Sequence, residues 1–240
     1  MELKPIRTDN QDFRGNYTAA QDHALPADSA QRVLRNTYLL LALTMVPTVL
    51  GAAIGIQLAP AMMASPIITV VLMLGSVIGL QFGIAHYRNS GMGVALLLLM
   101  TGLVGLFLGP LLNVALSMRN GMQLVGYAAV GTGAIFLAMG TIATTTKRDF
   151  SFMGKFLFVG MIALLVAMLA NMFLQIPALA LTISTLVIVV FSLFLLHDLN
   201  RVVRGGETNY IIATTTVYMS LFNIFANLLS LLMALTGERD

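Results

Sequence analysis

No cysteine occurs anywhere in the chain, which excludes a disulfide framework and any thiolate metal site. Histidine is almost as scarce, at three residues: His23, His86 and His197. His86, His197 and Asp198 all fall near one boundary of the apolar segments, but none stands in a metal-ligand spacing, so no metal is predicted. No GxSxG elbow presents a serine nucleophile, and no glycine-rich loop leaves a strand to cradle phosphate. The glycine-rich stretch Gly205-Gly206-Glu207-Thr208-Asn209-Tyr210 follows a helical segment instead. It reads as a tight turn into the last helix, with Thr208 or Asn209 as the cap. No catalytic constellation and no cofactor motif emerges, and the chain is not read as an enzyme.

Charge is the next scarcity. Charged residues make up 10% of the chain, against about 25% in a soluble domain, too few to cover a soluble surface. No basic cluster is interleaved with exposed aromatics, so nucleic acid is not a predicted partner. No cleavable leader is expected either, because the first apolar stretch begins only at Thr37, after a long polar tail, and is long enough to remain as an anchor. No internal repeat is visible that would indicate a two-halved transporter.

What the chain does hold is apolar sequence: 58% hydrophobic residues, gathered in seven long runs. A helix needs about 20 apolar residues to cross a bilayer, and must satisfy every backbone N–H and C=O internally. The spans are predicted over Thr37–Leu58, Ile67–Ala85, Met92–Leu108, Met122–Ala143, Lys155–Gln175, Ala178–Leu196 and Ile211–Leu235. The third is short for a straight crossing. The fifth and sixth are joined by so few residues around Pro177 that they must form a tight hairpin. The fold class is therefore an all-α polytopic membrane protein with the lipid bilayer as its surroundings.

Eleven of the thirteen basic residues fall in alternate gaps; only Arg119 and Arg239 lie on the opposite side. The positive-inside rule then predicts a cytoplasmic N-terminus and a periplasmic C-terminus. Met1 to about Ala30 is polar, carries both charge signs and shows no apolar periodicity, so it is expected to be a disordered tail preceding a membrane domain over 31–240. Such a tail is either a passive terminus or a flexible handle of the kind a ring ATPase protease needs to begin pulling.

Within the spans, Gly75, Gly79 and Gly83 recur every four residues on the second, and Gly105 and Gly109 on the third. Small residues at that spacing let helices approach closely; packing within the bundle is the main expectation, a homodimer face the alternative. The sixteen methionines and thirteen phenylalanines are core or lipid-facing filler. Asp198, between His197 and Arg201 at the end of the sixth span, is the ionisable group nearest membrane depth. It is either an interfacial carboxylate paired with Arg201 or a partly buried group whose protonation controls a path. On the last span Thr216, Ser220, Asn223, Asn227 and Ser230 share one helical face. That stripe is expected to turn inward, as interhelical hydrogen-bond glue for Asn227 and Ser230, with Ser220 and Asn223 near Asp198 if the last two spans pack antiparallel. Asn171 and Gln175 are candidates to line the same interior.

Several of these segments together resemble a known family. Arg32-Val33-Leu34-Arg35-Asn36-Thr37-Tyr38, Leu108-Gly109-Pro110-Leu111-Leu112-Asn113, Lys147-Arg148-Asp149-Phe150-Ser151-Phe152 and Ala170-Asn171-Met172-Phe173-Leu174-Gln175-Ile176-Pro177-Ala178-Leu179 are similar to stretches of the bacterial YccA group in the Bax-inhibitor-one superfamily. The most specific match is Gly205-Gly206-Glu207-Thr208-Asn209-Tyr210-Ile211, followed by Tyr218-Met219-Ser220-Leu221-Phe222-Asn223-Ile224-Phe225. The resemblance spans Gln31 to Leu235. It implies six helices around a central one, a bacterial inner-membrane location, and a role as substrate and modulator of the membrane AAA protease FtsH, which associates with HflK–HflC. The protease would engage the tail, which carries Met1, Glu2, Lys4, Arg7 and Arg14. Other members of the superfamily are pH-sensitive calcium leak channels with an acidic residue on each of the last two helices. Asp198 matches the first of these positions, but Ser220 stands at the second. A serine cannot share a proton with a carboxylate as a coupled acidic pair does, so the departure counts against a calcium or proton path of that type. A single-carboxylate version would use Asp198 with Ser220 or Asn223.

Overall fold

The computed structural model describes residues 27–237, and every regular element among them is helical. In chain order the helices are α1 (Ala27–Ala64), α2 (Pro66–His86), α3 (Gly91–Phe107), α4 (Gly109–Ser117), α5 (Gly121–Thr145), α6 (Met153–Leu174), α7 (Pro177–Val203) and α8 (Tyr210–Gly237). Taking α3 and α4 as one, seven stretches of 21 to 35 residues are long and apolar enough to cross a membrane. The expected tail residues Met1, Glu2, Lys4, Arg7 and Arg14 lie outside the described residues. Residues 27–30, expected to belong to that tail, are the first turn of α1.

The third crossing is longer than its hydropathy implied. α3 and α4 run from Gly91 to Ser117 with a break at Leu108. Pro110 stands in the first turn of α4 and has no N–H to donate back across the break, while its ring excludes the carbonyl four residues earlier. The apolar run thus looks finished at Leu108, although the chain continues in nearly the same course.

The α6–α7 hairpin is as tight as predicted. Gln175 adopts a left-handed conformation (φ 52°), donates its backbone N–H to the Asn171 carbonyl at 2.8 Å, and Pro177 opens α7. Asn171 Oδ1 accepts the Ile176 N–H at 3.1 Å. Asn171 and Gln175 therefore build this corner and do not line an interior.

α8 is the central helix. It packs against α1, α2, α3, α4, α5 and α7, and only α6 stands apart from it, resting on α7. Ile211, Val217, Tyr218, Ile224 and Leu229 of α8 are buried to 2% exposure or less. Around them close Leu97 and Met100 of α3 and Leu195 and Leu199 of α7. Leu112 of α4 and Leu124 of α5 form a second cluster toward the other end. The outer faces carry exposed Phe82, Met122, Phe156 and Phe173, an apolar belt of the extent that a bilayer covers.

The glycine pattern resolves unequally. Gly105 and Gly109 face α1, where a Cβ on either would collide with the backbone of Thr48 or Gly55. Gly51 and Gly55 supply the other half of this seam, against Gly102 and Leu106. Gly75 and Gly79, expected to pack within the bundle, meet nothing and are exposed. α2 is held instead through Val77 and Ile84. At about 100° per residue, glycines two positions from Val77 lie on nearly the opposite side of the helix.

Candidate functional site

Three connections meet at one end of the bundle: the α2–α3 turn with Arg88, the α5–α6 loop with Lys147 and Arg148, and the α7–α8 turn with Arg201 and Arg204. They are tied by side-chain amides and a guanidinium. Asn200, buried near the end of α7, donates through Nδ2 to the Arg148 carbonyl at 3.3 Å and accepts the Phe150 N–H on Oδ1 at 3.2 Å. Arg204 donates to the carbonyls of Lys147 and Arg148. Asn209 caps α8, accepting the N–H groups of Ile211 and Ile212 at 3.0 and 3.1 Å, as expected of this position. Its Nδ2 also donates to the Arg88 carbonyl at 2.7 Å and Asn89 Oδ1 at 2.8 Å.

The turn between α7 and α8 explains its own composition. Gly206 donates to the Arg201 carbonyl at 2.8 Å, and Gly205 to that of Val202 at 3.1 Å. This is a Schellman stop, and its left-handed residue is Gly205, at φ 73°. The reversal brings Glu207 back over the helix end, where one carboxylate oxygen lies 3.5 Å from Arg201 Nη2 and the other accepts the Asn209 N–H at 2.9 Å.

Arg201, the partner of Asp198 in one of its two readings, is thereby engaged by Glu207. Asp198 instead lies 3.1 Å from His197 Nδ1, and both side chains are largely shielded, at 14% and 12% exposure. His197 lies over Gly154 at the start of α6, where a Cβ would sit 2.9 Å from Nε2. On its other side, Asp198 borders a cavity of about 20 Å³ shared with Arg201, Glu207, Ile212, Ala213 and Thr216. A cavity needs roughly 10–15 Å³ of such volume to hold one water, so this one is water-sized. The antiparallel packing of α7 and α8 does bring the polar face of α8 toward Asp198, but through Thr216. Ser220 lies a turn deeper and is buried, and neither it nor Asn223 borders the cavity.

Most of the α8 stripe bonds within its own helix, Thr216 included, through the Ala213 carbonyl at 3.2 Å. Asn223 donates to the Met219 carbonyl at 2.8 Å, Asn227 to that of Asn223 at 2.9 Å, and Ser230 to that of Ala226 at 2.9 Å. Asn227 and Ser230 are therefore not the interhelical glue expected of them. A side chain four residues from a carbonyl can always reach it, whereas a neighbouring helix must offer an acceptor at the right height. Polar links between helices lie elsewhere: the Tyr218 hydroxyl donates to the Thr101 carbonyl at 3.2 Å and lies 2.9 Å from Thr48 Oγ1, and Thr214 Oγ1 donates to the Thr37 carbonyl at 3.4 Å.

Among the described residues no group of three or more His, Asp or Glu side chains converges as a metal site. His86 packs edge-on against Tyr87, with ring centroids 4.7 Å apart. In the α5–α6 loop, Asp149 accepts the Ser151 N–H at 2.8 Å, and hydrogen bonding from Ser151 holds its carboxyl below the ordinary aspartate range.

The sequence profile described as "Inhibitor of apoptosis-promoting Bax1" matches residues 30–237, from the first turn of α1 to the end of α8. The chain belongs to the Bax1-inhibitor family. Among related members is the Escherichia coli K12 protein described as "Modulator of FtsH protease YccA", 40% identical over 85% of this chain and 90% of that one. A membrane protein of Vibrio cholerae is 42% identical over 84% of this chain and 88% of its own. A Neisseria meningitidis protein is 39% identical over 90% and 97%.

Within this Bax1-inhibitor chain, the stretch that resembled the family most specifically, Gly205 to Ile211, is the turn that fastens the start of α8 to the α2–α3 turn through Asn209. Asn200 and Arg204 fasten the α5–α6 loop to the same end of α7, and these roles were missed from sequence. An amide in His197-Asp198-Leu199-Asn200-Arg201 at the end of an apolar helix was the available signal, overshadowed by the carboxylate beside it.

Proposed function

We propose that this protein is an inner-membrane modulator, and a substrate, of an FtsH-type membrane AAA protease acting with HflK–HflC. The basic end of the bundle faces the cytoplasm in this reading, and the segment 1–26, with Met1, Glu2, Lys4, Arg7 and Arg14, is the protease's handle. The observation that carries the reading is the 40% identity, over nearly the whole membrane domain, to the E. coli FtsH modulator.

The packing of α1 supports it physically. A protease pulling from the N-terminus meets α1 first. That helix is zipped to α3 and α4 backbone against backbone through Gly51, Gly55, Gly105 and Gly109, and is joined to α8 through Thr48 and Tyr218. Extraction has to open that seam before α1 can leave the bundle. A substrate that is gripped easily and extracted slowly keeps the protease occupied.

The test compares turnover of the full chain with that of a chain lacking residues 1–26, in cells with and without the protease. Protease-dependent decay of the full chain and persistence of the shortened one is the expected result. Equal decay of both removes the tail from the mechanism.

A second reading follows from the water-sized cavity beside Asp198. The Arg201–Glu207 pair and Thr216 close over it, as they would over the end of a single-carboxylate ion path for protons or calcium. Asp198→Asn should then change proton or calcium flux in liposomes. Equal flux in both proteins sinks this reading and leaves the first intact.

A further inference from the structure

α1 and α5 are not in backbone contact, although both lean on α7 behind them. Between them, at the basic end, an open groove of about 540 Å³ runs along the outer surface. Its walls are Tyr38, Ala42 and Met45 on one side and Leu137, Gly140 and Thr141 on the other. Tyr38 reaches across to meet Phe136 edge-on at 5.7 Å, forming the inner wall. Gly140 keeps the floor open: a Cβ there would stand 3.7 Å from the Tyr38 hydroxyl, and a longer side chain would fill the groove.

The groove is apolar in effect as well as in composition. Thr141 Oγ1 donates to the Leu137 carbonyl at 2.7 Å, and Thr144 Oγ1 to that of Gly140 at 2.9 Å, so both hydroxyl protons are spent within α5. With those protons spent, the Tyr38 hydroxyl is the one side-chain donor left on these walls, and the rest of the lining offers a ligand apolar surface. A partner helix is too wide: at about 10 Å diameter, 540 Å³ holds only about 7 Å of its length, little more than one turn. A single acyl chain matches both the shape and the chemistry.

Charge at the mouth selects among lipids. Arg35 lies three residues before Tyr38 and therefore on the same face of α1. Lys147 lies three residues after Thr144, just past the end of α5. Both side chains are exposed, and Arg204 fixes the loop by donating to the Lys147 carbonyl. Basic side chains flanking a groove between transmembrane helices attract anionic headgroups. We propose that the α1–α5 groove binds one anionic phospholipid, its acyl chain lying along Ala42 and Gly140 and its phosphate held between Arg35 and Lys147.

The chain contains no tryptophan, so one introduced residue reports alone. Leu137→Trp places a reporter on the groove wall, and Ile78→Trp places a control on the exposed part of α2, each eight residues from the basic end of its helix. The full-length protein is reconstituted in phosphatidylcholine with increasing dibrominated phosphatidylglycerol or dibrominated phosphatidylcholine. At Leu137→Trp the anionic lipid should quench with a relative affinity roughly tenfold higher than the zwitterionic one, and Arg35→Gln with Lys147→Gln should bring that ratio close to one. Ile78→Trp should show little preference. Gly140→Leu should abolish the preference and the retention of one phosphatidylglycerol seen by native mass spectrometry. Equal quenching by both lipids at Leu137→Trp, quenching by neither, or a preference that survives the charge substitutions would overturn the proposal.

Discussion

The hydroxyl of Tyr218, buried in the central helix, lies 2.9 Å from Thr48 Oγ1 on α1 and 3.2 Å from the Thr101 carbonyl on α3. Thr48 also points at the Thr44 carbonyl, at 2.7 Å. Three contacts thus share two hydroxyl protons. This cluster is the polar tie between the first, third and last spans, and it stands beside the glycine seam that brings α1 and α3 together.

Removing that tie should destabilise the bundle modestly. Polar contacts in membrane interiors contribute about 0.6 kcal/mol on average and up to about 1.7. Tyr218→Phe and Thr48→Val should each lower the melting midpoint in detergent, and the double substitution should cost less than the sum. Strict additivity would mean that the two hydroxyls act independently.

The glycines should divide into two classes. Gly105→Ala puts a methyl group into the Thr48 backbone, which cannot yield as a side chain would, and overpacking of this kind costs about 1–3 kcal/mol or more. Gly79→Ala enters open space and should be neutral or mildly stabilising, since alanine favours the helix by about 0.5–1 kcal/mol. Thermal stability of the two purified variants distinguishes them. Similar losses in both would contradict the seam.

Asn209→Ala removes a helix cap and two bonds to the α2–α3 turn together. The cap alone accounts for about 1 kcal/mol. Limited proteolysis should show faster cleavage near Arg88 and Asn89, a site distant in sequence from the substitution. Unchanged cleavage there would mean that the turn is held by other contacts.

The α5–α6 loop should loosen in acid. Hydrogen bonding from Ser151 lowers the Asp149 pKa in the folded state, so its contribution is fully present above the ordinary carboxylate value, about pH 4, and is lost as pH falls through the lowered value. The Ser151 amide resonance should report that titration. A midpoint at the ordinary aspartate value would show that the contact is not held in solution.

Much of this protein was legible as a line of letters. A bilayer imposes a minimum length and an apolar composition on every crossing, so the seven spans follow from hydropathy alone. The turn at Gly205 and the cap at Asn209 are equally local: a left-handed residue and an N-cap each select their own amino acids. The segregation of basic residues to one end needed only the spans and the count.

Which face of each span meets protein was decided only by the tertiary structure. Lipid tails and protein interior are both apolar, so hydrophobicity does not separate Gly79, which meets nothing, from Gly105, which meets Thr48. The same ambiguity hid the partner of Arg201. Asp198 is nearer along the helix, but the chain reverses at Gly205 and brings Glu207 to the guanidinium first. It also hid the role of α8. A stripe of serine and asparagine was legible, but its side chains close on their own helix, while the residue that ties the bundle together is a tyrosine between two threonines of distant spans. Sequence specifies what each helix is made of; helix rotation and neighbour choice depend on backbone approach distances that only the assembled bundle sets.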